Sequence, residues 1–268
     1  MPRSRLAVFL LSTYLITWTS WWILAALAHR GITAFGQAPF MVLYLLGGLG
    51  PTIAPYISIL LTGDRGSIKE FHARLFKWRV CAAWYLAAFL IPAGVEGVAL
   101  AIWVLIGGES SSIPGLLPWY MFFPFFFVMI LGGGLEELGW RGIALPEFQR
   151  RLHPLGASAV IGVIWSLWHL PLFFIKGVHQ YGMNFYTFSL GVLGLACVLT
   201  WIYNRTGSIL LCVVLHAAVN ATNSLGLKVP TSRLTDSVIE GIIWICVGSA
   251  LVSMSRKRAI DTAAARRG

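Results

Sequence analysis

Charge is what this sequence has least of: of 268 residues only 11% are Asp, Glu, Lys or Arg, against about 25% in an ordinary soluble domain. With 57% of the residues hydrophobic, lipid rather than water must be the main solvent. Cysteine is also sparse. The four, Cys81, Cys197, Cys212 and Cys246, sit singly and form no CxxC pair, which excludes a zinc knuckle and a disulfide framework and leaves small packing residues. No HExxH occurs, so the best-known helical zinc-protease signature is missing. No internal repeat is visible either, which argues against a transporter built from two related halves.

The chain does contain long apolar stretches. They run over 6–28, 39–62, 80–107, 116–135, 155–175, 183–203, 208–227 and 237–254, each near the ~20 residues a tilted spanning helix needs. The expected fold is therefore all-α: a single polytopic membrane domain over 1–268, a bundle of eight transmembrane helices around a polar cavity. Arg3 and Arg5 precede the first stretch, as in a signal peptide, but the apolar run exceeds 20 residues and includes Trp18, Trp21 and Trp22, so it reads as a retained helix.

The net charge of +10 does not indicate nucleic acid, because the basic residues lie between apolar runs and form no aromatic-interleaved patch. They report orientation instead. With the N-terminus cytoplasmic, sixteen of the twenty Lys and Arg residues fall inside, leaving Arg30, Lys176, Lys228 and Arg233 outside, as the positive-inside rule asks. Both termini are then cytoplasmic, and the expected location is a bacterial plasma membrane. The segment 64–79 alternates basic and apolar residues, as an amphipathic helix on anionic lipid would.

Charged groups at membrane depth are costly and so mark function. The run GGGLEELGWRGIALPEFQRR, residues 132–151, brings Glu136, Glu137 and Arg141 to the end of a spanning segment. On a helix Glu137 and Arg141 are i and i+4 neighbours and can pair, while Glu136 points about 100° away and stays available as a base. His169 follows within IGVIWSLWHLPLFF, one turn after Trp165 and before Pro171, which could bend its helix. His216 and Asn220 lie i and i+4 on one face of the seventh segment. Helix-end capping for the glutamates and interhelical hydrogen bonding for the rest are the plain alternatives. Together, though, a carboxylate with an imidazole to activate water and an imidazole with an amide to donate hydrogen bonds are the parts of an amide hydrolase without a covalent nucleophile. Gly132, Gly133 and Gly134 would allow close approach of a neighbouring backbone just before the glutamates. Glu96 and Glu240 lack such company; Glu240 reads as interfacial, at the outer end of the last helix.

These motifs resemble the CPBP intramembrane endopeptidases, which include the CAAX prenyl endopeptidases and the bacterial Abi-type proteins. EELGWR (Glu136 to Arg141) matches the family's EExxxR, WSLWH (Trp165 to His169) its aromatic-xxx-H, and HAAVN (His216 to Asn220) its HxxxN. The resemblance covers a core of about 116–227. It implies a glutamate-dependent intramembrane protease in which Glu136 and His169 activate water, His216 and Asn220 bind the oxyanion, and Glu137 and Arg141 support the site. Trp165 stands where phenylalanine is common and keeps an aromatic wall. No cofactor is implied. The expected partners are the lipid bilayer and a membrane-associated or lipidated protein or peptide substrate, with no nucleic acid. Two other readings stand beside this one: a metalloprotease with Glu136, His169 and His216 as zinc ligands, and a non-catalytic membrane scaffold or bacteriocin-immunity protein.

Overall fold

Large apolar side chains cover the outside of the helices: Leu11, Leu15, Leu90 and Phe127 are all more than 60% exposed, as side chains facing lipid are. The computed structural model describes residues 4–62, 65–106, 117–225 and 234–265. Among them all regular structure is helical. Helix α1 (Arg5–His29) leads into a pair, α2 (Ala38–Gly48) and α3 (Gly50–Leu61), bent by 49° at Leu49. Pro51 in the first turn of α3 has no N–H to continue the ladder of α2, which accounts for the break. A surface helix, α4 (Arg65–Leu75), precedes α5 (Ala82–Leu105) and α6 (Phe122–Leu131). Short turns α7 (Glu137–Gly139) and α8 (Leu145–Gln149) follow, then α9 (Pro154–Trp168), α10 (Phe185–Thr206), α11 (Ile209–Ser224) and α12 (Leu234–Ala265).

Of the eight expected crossings, five helical runs are long and apolar enough by length and composition: α1, α5, Trp119–Gln149, Pro154–Phe174 and α10. The bent pair α2–α3 makes a sixth if it is one span. Helix α11 and the stretch Val238–Met254 of α12 are apolar but shorter, so among the described residues five or six runs qualify by length and composition alone. Arg3, Lys228, Arg233, Arg266 and Arg267, part of the orientation reading, lie outside the described residues.

Local chemistry explains the sharpest connection. Asn184 caps α10 by accepting from the backbone N–H of Tyr186 and Thr187 (2.9 and 3.2 Å). Gly207 ends it in the left-handed region (φ 63°), and Ser208 at once caps α11 by accepting from Leu211 N–H (3.0 Å). Helix α11 consequently runs back through the interior and is buried along most of its length. Helix α12 packs on α10 through glycines: a Cβ at Gly194 or Gly248 would overlap atoms of the facing helix, so both mark near backbone contact. Thr17 ties three elements together, accepting from Trp168 Nε1 (2.8 Å) and donating to the Gly47 carbonyl (2.7 Å).

Helix α4 has the amphipathic character read from the sequence, but its apolar face is docked on the protein as well. Phe71 is fully buried and its ring lies 5.4 Å from that of Tyr56, while Phe76 and Trp78 beyond the helix remain exposed.

Candidate active site

The sequence suggests one helix running into Glu136, and the structure divides it. Helix α6 stops at Leu131, Gly132 and Gly133 turn the chain, and residues Gly134–Glu136 form a 3-10 turn. The short α7 and a π-helical turn, Trp140–Ala144, then carry the chain to α8. A wider π turn is a frequent feature of functional sites; here it holds Arg141, which is completely buried. Arg141 therefore belongs to the interior and not to the inner-loop charges that report orientation.

Glu137, also completely buried, is the hub. Its Oε2 lies 2.8 Å from Arg141 Nη1, the i and i+4 pair expected from spacing. Its Oε1 accepts from His216 Nδ1 on α11 at 2.9 Å, a contact no local spacing foretells. The guanidinium is held further by the Ala196 carbonyl (3.3 Å) and by the face of Trp165, 5.0 Å from ring centroid to Cζ. With the Glu137 carboxylate accepting at Nδ1, the His216 ring is fixed and its Nε2 is the edge left for other work.

Glu136 is 8% exposed and is not left free, as helix geometry suggested: Trp165 Nε1 donates to its Oε2 at 2.7 Å. The tryptophan thus does what phenylalanine cannot. One carboxylate oxygen is held and the other remains to accept. His169 caps the end of α9, after which Pro171 sits in a 3-10 turn, Leu170–Phe174, so the helix stops at the histidine rather than bending beyond it. His169 Nδ1 lies 2.8 Å from the Trp165 carbonyl. A carbonyl only accepts, so Nδ1 carries the proton and Nε2 presents a lone pair. Trp168 and Phe188 pack around that ring, with centroids 4.5 and 5.0 Å away.

Glu136, Trp165, His169, His216 and Asn220 all line one cavity of about 390 Å³. Glu137 and Arg141 stand behind it. Gly133 explains how the chain comes so near the histidine and amide: a Cβ there would overlap Asn220 Nδ2 and lie 3.2 Å from His216 Nε2. At Gly134 a Cβ would come within 3.0 Å of the Val213 carbonyl, so α11's backbone does approach the glycines as the sequence suggests. Ser166 is spent on the Gly162 carbonyl (2.8 Å), which removes it as a nucleophile. Glu96 is buried on α5 but does not line this cavity.

Sequence reasoning missed one wall. Glu240, expected at the lipid interface, lines the cavity from α12, as do Gln180 and Met183 from the connection before α10. Hydropathy gives the depth of such a residue but not which way its helix faces, so nothing in the sequence distinguishes the two.

No three His, Cys, Asp or Glu side chains are grouped to hold a metal ion among the described residues. The zinc set Glu136, His169 and His216 is thus not gathered into a coordination shell, although all three reach the cavity.

Residues 118–222 match the family described as type II CAAX prenyl endopeptidase Rce1-like. A CAAX prenyl protease 2 from Methanococcus maripaludis is 28% identical over 265 residues, covering 93% of this chain and 94% of that protein. The three motif-bearing segments gathered on one cavity all fall within residues 118–222, the part of the chain that is similar to that CAAX prenyl endopeptidase family.

Proposed function

We propose that this protein hydrolyses a peptide bond within the membrane by direct attack of water, without a covalent intermediate. The observation that carries the reading is the division of the cavity's polar atoms into acceptors and donors. The free oxygen of Glu136 and the Nε2 of His169 both accept, and a water bound to them has its two protons engaged and its oxygen free to attack. Glu136 takes the proton as the bond forms and returns it to the leaving amine. Asn220 Nδ2, and His216 Nε2 when that ring carries both protons, donate to the oxygen on which charge develops. Arg141 and Glu137 act through His216 by fixing its ring.

The substrate is a membrane-associated or lipidated polypeptide, and similarity to a CAAX prenyl protease makes a prenylated peptide the first to test. Purified protein in lipid nanodiscs should cleave such a peptide equally well before and after exhaustive chelation. Activity lost on chelation and restored by stoichiometric zinc would transfer the case to a metalloprotease.

Gly133 supplies a test of the donor pair. Asn220→Ala should lower kcat by roughly 100- to 1000-fold, the usual loss for one oxyanion donor, with little change in peptide binding. Gly133→Ala, which adds a methyl group where the Asn220 amide stands, should approach the same loss while leaving the melting temperature near that of the wild type. Full activity in Gly133→Ala would mean that the amide does not act from the position it occupies.

The orientation follows from the basic residues: with Arg141 set aside, fifteen of the remaining nineteen Lys and Arg residues still fall on the side of the termini, which we take to be cytoplasmic. In a background lacking the four native cysteines, thiol reporters at positions 74 and 266 should label only from the cytoplasmic side. Labelling from outside alone would invert the topology.

A further inference from the structure

Among the polar groups of the cavity that this mechanism does not use are Glu240 and Gln180. Glu240 reaches it from α12, and Gln180 reaches it from the connection between Phe174 and α10. Among the described residues Glu240 has neither a hydrogen bond nor an ion pair, and the buried Gln180 Oε1 accepts no hydrogen bond. Two indoles and one hydroxyl of the same lining are already committed. Trp21 Nε1 donates to the Tyr44 carbonyl (2.9 Å), Trp168 Nε1 to Thr17 (2.8 Å) and Thr187 Oγ1 to the Asn184 carbonyl (3.0 Å). The unspent groups of this wall thus include a carboxylate and the amide oxygen of Gln180, both acceptors.

The helix packing beside Glu240 is close. Gly241, beside the glutamate, meets α10 so closely that a Cβ would overlap Leu190 and lie 3.3 Å from the Gly191 N atom, which fixes how α12 presents Glu240. Phe188, Gly191 and Val192, apolar or glycine, line the same cavity. Among the described residues no cation pairs with this carboxylate, and a cationic group entering the cavity would satisfy it. A negatively charged group is repelled from it.

We propose that Glu240 and Gln180 Oε1 form an acceptor subsite for a cationic side chain, lysine or arginine, of the polypeptide substrate. The subsite selects basic sequences by placing that side chain against α12 while the scissile bond lies near Glu136. Lysine donates three N–H groups, enough to satisfy both acceptors at once. The proposal rests on the cavity being a peptide site, and the experiment reads binding and cleavage separately.

The probe is a set of fluorescent apolar peptides of one sequence, in which a single position at a time carries lysine, norleucine or glutamate. Binding is measured with the Glu136→Gln protein in nanodiscs. At one register the lysine peptide should bind at least about tenfold more tightly than its norleucine counterpart, as a charge-assisted hydrogen bond in a poorly solvated site provides. Adding Glu240→Gln should bring that ratio to within about twofold, and adding Glu240→Lys should turn the preference to glutamate, as reversal of the site's charge requires. Gln180→Ala should reduce the ratio partially. A panel with no lysine preference at any register, or a preference that survives Glu240→Gln, overturns the subsite. The wild type is then assayed for cleavage of the same peptides. A lysine preference in binding with no cleavage leaves the subsite standing and counts against proteolysis; cleavage with no lysine preference does the reverse.

Discussion

Glu136→Gln is expected to bind a peptide substrate as the wild type does and to turn it over less than about one thousandth as fast, within the range that general acid–base catalysis commonly contributes. The side chains are nearly isosteric. Trp165 Nε1, 2.7 Å from Glu136 Oε2, can donate equally to an amide oxygen, so the position of the group and the fold around it should be kept. What the amide cannot do is accept a proton from water. The measurement is kcat and peptide affinity in the same preparation, with the melting temperature as a control for folding. A variant that retains a tenth of the wild-type rate would remove Glu136 from the role of base.

Glu137→Gln should fail differently, by loss of folded protein. Glu137 and Arg141 are both completely shielded from solvent, and removing one partner of a buried pair costs about 3–5 kcal/mol because the other charge is stranded. Total stability for a folded domain is only about 5–15 kcal/mol. Folded yield should fall severalfold and the melting temperature should drop clearly. Activity per folded molecule should fall too, since His216 Nδ1 loses its carboxylate at 2.9 Å. The double variant Glu137→Gln, Arg141→Met removes the stranded charge along with its partner. It should recover yield without recovering activity, which separates the stabilising role from the positioning of His216. Recovery of both would mean that the Glu137–His216 contact does not matter to the chemistry.

How much of this was legible in the sequence depended on whether a contact is local. The pairing of Glu137 with Arg141, four residues apart, followed from helical spacing, and so did the shared face of His216 and Asn220. The hydrogen bond from Trp165 to Glu136, 29 residues away, and the one from His216 to Glu137, 79 residues away, did not. Such contacts depend on how α9 and α11 pack against the turn after Gly133, which periodicity does not encode. The family motifs pointed to a candidate site, but not to its internal wiring. Helix count depends on length as well as hydropathy: α11 is apolar but only 16 residues long, below the ~20 that a spanning helix needs by length alone. The place of Glu240 on the cavity wall was not legible either. A sequence shows that a charge lies near the end of an apolar run; only packing shows that it turns inward.

The central claim is that Glu136 and His169 share a catalytic water, and a high-resolution structure of the wild-type protein in a lipid bilayer tests it most directly. An ordered water is predicted within about 2.6–3.2 Å of both the Glu136 carboxylate and His169 Nε2, facing the cavity bordered by Asn220. A metal ion bound there by Glu136, His169 and His216, or a separation too wide for one water to bridge, would contradict it.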